Sequence, residues 1–379
     1  MQIPTLDLKA PVYAKTIRPV RHVDRPRIFL AGRLTALESP GGGEVHMQSL
    51  ASALRVLEVQ ASLWRPWEDP LAECHCLHLF GSLPEHQPLI QAARRQGVAV
   101  VLSTAAWLGP DNGKRATWSA RFKRQAASLA QTTCSWMPSW RRKLYHSVDL
   151  LLPNSHAEAK QLSQLFGVPN QQIHIVPKGA DPRFAEADPQ PFRDLVGTDD
   201  FVLCVGRIEP RKNQIALLRA MQGTGIPVVV LGDVAPGYES YFDACRRTGG
   251  KDVIFVPRLD HGDPLLASAY TASQCLAMCS WFETPGLAAL EASMSGTPLV
   301  LPEGGCAEEY FGNLAHYVRP DDIDGIRRAV SAAIEQGRSP ILAEHVRHYL
   351  TWETAARITC EAYERALGRP VLLAEDNRS

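Results

Sequence analysis

The sequence predicts an α/β protein of two domains, each a parallel sheet with helices on both faces, and three observations carry that expectation. Short apolar runs alternate with segments of helical periodicity along most of the 379 residues, and an alternating strand-helix order is best satisfied by a parallel sheet covered on both sides. The alternation occurs twice. Between the two series lies a Pro- and Asp-rich stretch over 181–200, with Asp181, Pro182, Asp188, Pro189, Pro191, Gly197, Asp199 and Asp200, as expected of a linker.

Residues 1–26 mix Pro, Arg and Lys without period and are expected to form an extended arm. The first strand is 28–32, followed by a loop ending in Gly41, Gly42 and Gly43 and by the helical spacing Met47, Leu50, Ala51, Leu54, Leu57. Runs at 77–80, 98–102, 148–152 and 173–176 supply the other strands of an N-terminal domain over 27–190. The second series places strands at 201–205, 227–231, 253–256, 275–279, 298–301 and 316–318, within a C-terminal domain over 196–350. Six such strands suit a Rossmann-like sheet.

Composition excludes several classes. Hydrophobic residues make up 45% and charged residues 21%, which is ordinary for a globular chain and too apolar for a disordered one. Lys plus Arg and Asp plus Glu both number 40, so net charge makes no case for nucleic-acid binding. The nine cysteines are scattered and odd in number, which favours free thiols in a reducing compartment. No apolar segment suits a signal peptide, and none approaches the ~20 residues that cross a bilayer. A cytoplasmic location follows as the expectation.

In open parallel sheets, ligands bind beyond the carboxyl ends of the strands. Four segments should end there. Gly41, Gly42, Gly43 and Glu44 bring bare backbone amides to a helix start, where a diphosphate or sugar can approach; alone, such a run is equally a surface loop. The segment from Gly206 to Asn213 carries Arg207, a planar fork of donors, and Lys212, a compact charge, a pair suited to a diphosphate; the plainer reading is a solvated basic loop. Gly232 and Asp233 close the next strand and could orient it. The third segment runs from Ser280 to Ala292, with Pro285 and Gly286 at a helix start and Glu283 and Glu291 facing one crevice. A carboxylate suits vicinal hydroxyls, and the free amides of Gly286 and Leu287 suit anionic oxygen. The fourth, from Pro302 to Glu309, ends another strand in a glycine turn that lines the nucleotide side.

Together these segments resemble the group 1 glycosyltransferases of family 4, over roughly residues 28 to 365. The most specific element is Glu283 and Glu291 with seven residues between them, followed by Ala292, Ser293, Met294, Ser295, Gly296, Thr297 and Pro298. Pro153, Asn154 and Ser155, and the run from Val176 to Asp181, resemble segments that the family carries before its linker. The resemblance implies the GT-B fold, in which two Rossmann-like domains face each other across a cleft and a terminal helix, here about 352–368, packs back on the N-terminal domain.

It also implies a retaining, metal-independent transfer of a hexose-type sugar from a UDP or GDP sugar, with no cofactor, to a glycan, lipid-linked or small-molecule acceptor, as in polysaccharide biosynthesis. Arg207 and Lys212 would neutralise the departing diphosphate, Glu291 bind the ribose, and Glu283 bind the transferred sugar. Gly42 and Gly43 would reach the donor from the opposite domain, with Asp233, Arg258, Leu259, Gly286 and Leu287 completing the donor set. Many relatives place a histidine just after the strand at 98–102, where this chain has Ser103, Thr104, Ala105, Ala106 and Trp107. His78 is therefore the candidate for contact with donor or acceptor, a strand-end histidine satisfied by backbone being the alternative. Lys178 stands where asparagine is common.

Two further clusters carry plainer readings. Cys74, His75, Cys76 and His78 invite a metal, but on a strand His75 points away from the others, so no metal site is expected. Between 112 and 148 lie Lys114, Arg115, Arg121, Lys123, Arg124, Arg141, Arg142 and Lys143 without an acidic residue, interleaved with Trp118, Phe122, Trp136 and Trp140. Peripheral contact with an anionic membrane at its inner face or with a phosphorylated acceptor is one expectation, and a solvated helix pair the other. A catalytically inactive relative that binds nucleotide sugar or a partner as a scaffold is the alternative function. Nucleotide-sugar epimerisation would need a flanking acid and base that the sequence does not offer.

Overall fold

The computed structural model describes residues 25–33, 41–105 and 139–372. The expected arm therefore lies outside them except for its last two residues, as do Cys134 and the basic residues 114–124. In the first half, β1 (Ile28–Ala31), β2 (Ala61–Leu63), β3 (Cys76–Phe80), β4 (Ala99–Ser103) and β5 (Leu150–Leu152) form one parallel sheet in the order β2-β1-β3-β4-β5. Between them run α1 (Gly42–Val56), α2 (His86–Arg95) and α3 (Trp140–Tyr145), and α4 (His156–Phe166) follows β5.

The two-residue period of the strands sorts their side chains. Ile28, Leu30, Cys76, Phe80 and Val101 pack beneath α1, whereas Phe29, Ala31, Leu77, Leu79, Val100 and Leu102 form the opposite core. Two expectations need correction. Strand β2 is not among the expected strands, since Ala61, Ser62 and Leu63 make too short a run. The strand expected at 173–176 is a single bridge between Ile173 and Leu151. His174 and Val176 donate to Leu151 and Pro153, but Pro153 has no N–H with which to extend the ladder.

In the second half, β6 (Val202–Val205), β7 (Val228–Leu231), β8 (Val253–Val256), β9 (Cys275–Ala277), β10 (Leu299–Pro302) and β11 (His316–Val318) form a parallel sheet in the order β11-β10-β9-β6-β7-β8. Around it pack α5 (Gln190–Val196), α6 (Gln214–Met221), α7 (Glu239–Gly249), α8 (Pro264–Ala272), α9 (Leu287–Met294), α10 (Ala307–Phe311), α11 (Ile323–Gln336) and α12 (Pro340–Tyr349). Asp263, Asp322 and Ser339 cap α8, α11 and α12 through side-chain oxygens.

The chain crosses between the halves twice, and the crossings touch. Ala180 N–H donates to Leu350 O at 2.8 Å, and a Cβ on Gly179 would lie 2.2 Å from the Thr351 carbonyl carbon, so only glycine fits there. After the second crossing, α13 (Trp352–Leu367) lies against α1, and Trp352, Ala355, Ala356, Cys360 and Tyr363 join the N-terminal core.

Strand order reverses between β1 and β3 in one sheet and between β6 and β9 in the other. Such switch points open a crevice at the carboxyl ends of the strands. The two crevices face each other: Leu287, first residue of α9, packs against both cores, and its Cδ1 lies 3.9 Å from where a Cβ on Gly42 would stand.

Candidate active site in the interdomain cleft

The loop after β6 carries Arg207 and Lys212, and the loop after β9 carries Glu283. Lys212 Nζ donates to Glu283 Oε1 at 2.6 Å, with side-chain exposures of 14% and 7%. Ser280 Oγ donates to the same oxygen at 2.6 Å. Burial pushes the Glu283 carboxyl up, but Lys212, Arg211 and these hydrogen bonds outweigh it and hold it below its ordinary value. The backbone around Glu283 is fixed as well: it bridges Gly305, where φ is +94° and a Cβ would fall 2.2 Å from Glu283 O.

Glu291 forms a second cluster one turn down α9. It is 6% exposed. It accepts from the Tyr270 hydroxyl at 2.6 Å and lies 3.0 Å from His261 Nε2. Burial and the adjacent carboxylate push the Tyr270 hydroxyl well above its ordinary value, so it stays a donor. Arg207 is brought to neither cluster; its side chain is 62% exposed, with Nη2 3.9 Å from Glu209. Asp233 Oδ1 accepts from Arg258 N–H at 3.0 Å, and Asp233 O from Ile208 N–H at 2.9 Å, which ties the ends of β6, β7 and β8 together. Leu259 packs on the C-terminal core.

On the opposite wall, Gly42 opens α1 and Gly43 has open space where a side chain would stand. Glu44 accepts the Gly41 N–H at 2.8 Å and fixes the helix start. His78 is a correction. It is fully buried, with Nδ1 2.6 Å from the Tyr363 hydroxyl and Nε2 2.8 Å from the Ser103 hydroxyl. Both ring nitrogens are thus used inside the N-terminal core, and burial pulls the imidazole down to about 3. Its partners are side chains from β4 and α13 rather than the backbone.

The histidine nearer the cleft is His46, on the second turn of α1, stacked on Trp352 and edge-on to Phe80. Burial first, then the charge of Lys178, pulls its ring well below the ordinary value. His46, Tyr270 and His261 were not expected from the sequence, and Lys178 was singled out there without a role. The only signal for His46 was its place three residues after the glycine run, on the helix that run opens.

The fourth sequence segment does more than line a crevice. Glu309 accepts from the N–H groups of His156 and Ala157, both at 2.7 Å, at the start of α4, and Tyr310 donates to Asn154 O at 2.6 Å. These contacts dock one domain on the other. Among the described residues no group of three His, Cys, Asp or Glu could hold a metal ion; Cys74 instead donates to Cys76 O. The eight described thiols are all buried and unpaired. No helix among these residues is long and apolar enough to cross a membrane. Of the basic segment, Arg141, Arg142 and Lys143 lie on α3, with Arg141 over the Trp140 ring; the rest lies outside the described residues.

Residues 189–349 match the family Glycosyl transferases group 1, and residues 40–184 match Glycosyltransferase Family 4. A D-inositol 3-phosphate glycosyltransferase of Kribbella flavida is 29% identical over 73% of this chain and 73% of its own length. The Mycobacterium marinum protein of the same name is 28% identical over 60% of this chain, which spans about half (52%) of that protein. In fold, the chain is similar to sucrose-phosphate synthase from Thermosynechococcus elongatus, with a TM-score of 0.68 at 17% identity over 90% of this chain and 99% of the other. The Anabaena protein HepE, solved with UDP and glucose, gives 0.67 at 16% identity over 89% and 99%. A UDP-forming trehalose-phosphate synthase from Burkholderia xenovorans, holding glucose-6-phosphate, gives 0.56 at 14% identity over 87% and 79%.

Proposed function

We infer the function from one premise: this chain belongs to the group 1, family 4 glycosyltransferases and has their GT-B fold. It is a glycosyltransferase that takes sugar from a nucleotide sugar. The finer reading assigned here is transfer of a hexose from a UDP-linked donor to a small hydroxylated acceptor bearing phosphate, with retention at the anomeric carbon and without a metal. The names of the relatives support the acceptor class, and the fold neighbour solved with UDP and glucose supports the donor.

The observation that carries the reading is the Lys212–Glu283 pair at the β6/β9 switch point. Glu283 uses one of the three N–H groups of Lys212 and leaves two for phosphate oxygens. Arg207, exposed on the same loop, adds a planar fork of donors, and the free amides at the start of α9 add fixed dipoles. Charge on the diphosphate rises as its bond to the anomeric carbon breaks, and these groups stabilise that charge. The acceptor hydroxyl forms the new bond on the face the diphosphate leaves, its proton passing to a departing phosphate oxygen. Glu283 accepts from hydroxyls of the transferred sugar, and Glu291, held by Tyr270 and His261, accepts from the ribose.

Thermal shift with UDP, GDP, ADP and their hexose conjugates tests the donor, since a ligand at 100 times its Kd stabilises by about 2.7 kcal/mol. The UDP pair is expected to shift the unfolding temperature most, and a shift by GDP alone would reassign the nucleotide. Product anomers read by NMR test retention, and turnover unchanged in EDTA tests metal independence.

A further inference from the structure

Lys178 belongs to none of the roles assigned above. It sits on the first crossing between the domains, and the C-terminal domain holds it at both ends. Its backbone N–H donates to the Tyr310 hydroxyl at 2.9 Å, and its Nζ donates to the Thr284 carbonyl at 3.0 Å. Gly179, next to it, packs so closely on Thr351 and Trp352 that no side chain fits there. Thr284 follows Glu283, and two residues further on stand Gly286 and Leu287, where α9 begins. Thr284 occupies one ammonium N–H of three. Glu158, Cys306, Glu283, Lys212 and His46 are its electrostatic neighbours, and burial draws its ammonium below the ordinary lysine value.

We propose that Lys178 is a positioning residue for donor cleavage: reaching from the interdomain crossing, it fixes the 283–287 turn, so that Glu283 and the α9 amides keep their places against the sugar and its leaving group only while the domains are docked. The inference rests on the nucleotide-sugar reading above. A turn displaced by about an ångström costs on the order of a hundredfold in rate, whereas Arg207 and Lys212, the charged groups that hold the diphosphate, stand on another loop.

The test uses the full chain with UDP and UDP-glucose as probes. Lys178→Met is expected to bind UDP within about threefold of wild type yet release UDP from UDP-glucose about a hundredfold more slowly, and Lys178→Arg, which keeps charge and donors, to recover at least a tenth of wild-type turnover. Tyr310→Phe, which removes the other anchor and leaves the ammonium in place, is expected to lower kcat in the same direction. Turnover by Lys178→Met within threefold of wild type, an equal loss of UDP affinity and turnover, or a Lys178→Arg as defective as Lys178→Met would each overturn the proposal. Absence of UDP binding by the wild type would instead overturn the donor reading on which it stands.

Discussion

At the carboxyl ends of β6 and β9 the buried polar groups are charged and face the cleft, with Lys212 on Glu283 at 2.6 Å and Glu291 held by Tyr270. In the N-terminal sheet the buried polar group of β3 is neutral and turned inward, with His78 at mid-strand between the Tyr363 and Ser103 hydroxyls. Both sheets share the parallel topology and the reversal of strand order. The difference lies in what each wall would meet. A diphosphate needs fixed counter-charge, and burying that charge is tolerable only if it is paired beforehand. A sugar or polyol needs donors and acceptors, which backbone amides such as those that open α1 supply without such pairing.

The largest expected effect is at the charged wall. Lys212→Ala should lower kcat by ~10²–10³, as loss of an oxyanion donor does. It should also destabilise the fold by about 3 kcal/mol, because Glu283 is left as an unpaired buried carboxylate; steady-state kinetics and urea unfolding read the two. Arg207→Ala, exposed, should show the rate effect and leave the urea midpoint unchanged.

Next comes the neutral wall. His78→Phe should leave turnover within threefold and cost about 1–3 kcal/mol through the orphaned hydroxyls of Ser103 and Tyr363. A collapse of turnover with the fold intact would erase the contrast between the walls. The same variant sharpens it through pH. The His78 ring has a folded value of about 3 against an ordinary 6.5, so as pH falls below 6.5 the unfolded chain takes up a proton that the native chain refuses. Wild-type stability is therefore lost across that window by up to about 1.4 kcal/mol per pH unit from this group, and His78→Phe should lack that share of the slope. The smallest effect is at Arg258→Ala. Its backbone N–H, not its exposed side chain, meets Asp233, so stability should change by less than about 0.5 kcal/mol.

The C-terminal sheet was legible almost strand for strand, since runs such as Val228–Leu231 are unbroken Val and Leu between turn residues. Strand β2 was not, because three residues with Ser62 at their centre carry no periodic signal. Glu283 and Glu291 were legible because their spacing is set within one loop and helix. Lys212 was legible from its own loop, but its direct pairing with Glu283 was not, nor was that of Tyr363 with His78: the partners are 71 and 285 residues apart, and a contact between distant segments leaves no local pattern. The misassignment of His78 has that cause, for Tyr363 on α13, which encloses it, lies 285 residues further along the chain.

That return of α13 bears on how the molecule is made. Trp352, Ala356 and Tyr363 complete the interior begun by Ile28, Leu50 and Leu54, so during synthesis the half translated first waits, with one face wet, until α13 leaves the ribosome. The half translated second holds all its own strands by residue 318 and should become protease-resistant earlier, so that nascent chains halted before Trp352 would be cut in the first half and spared in the second.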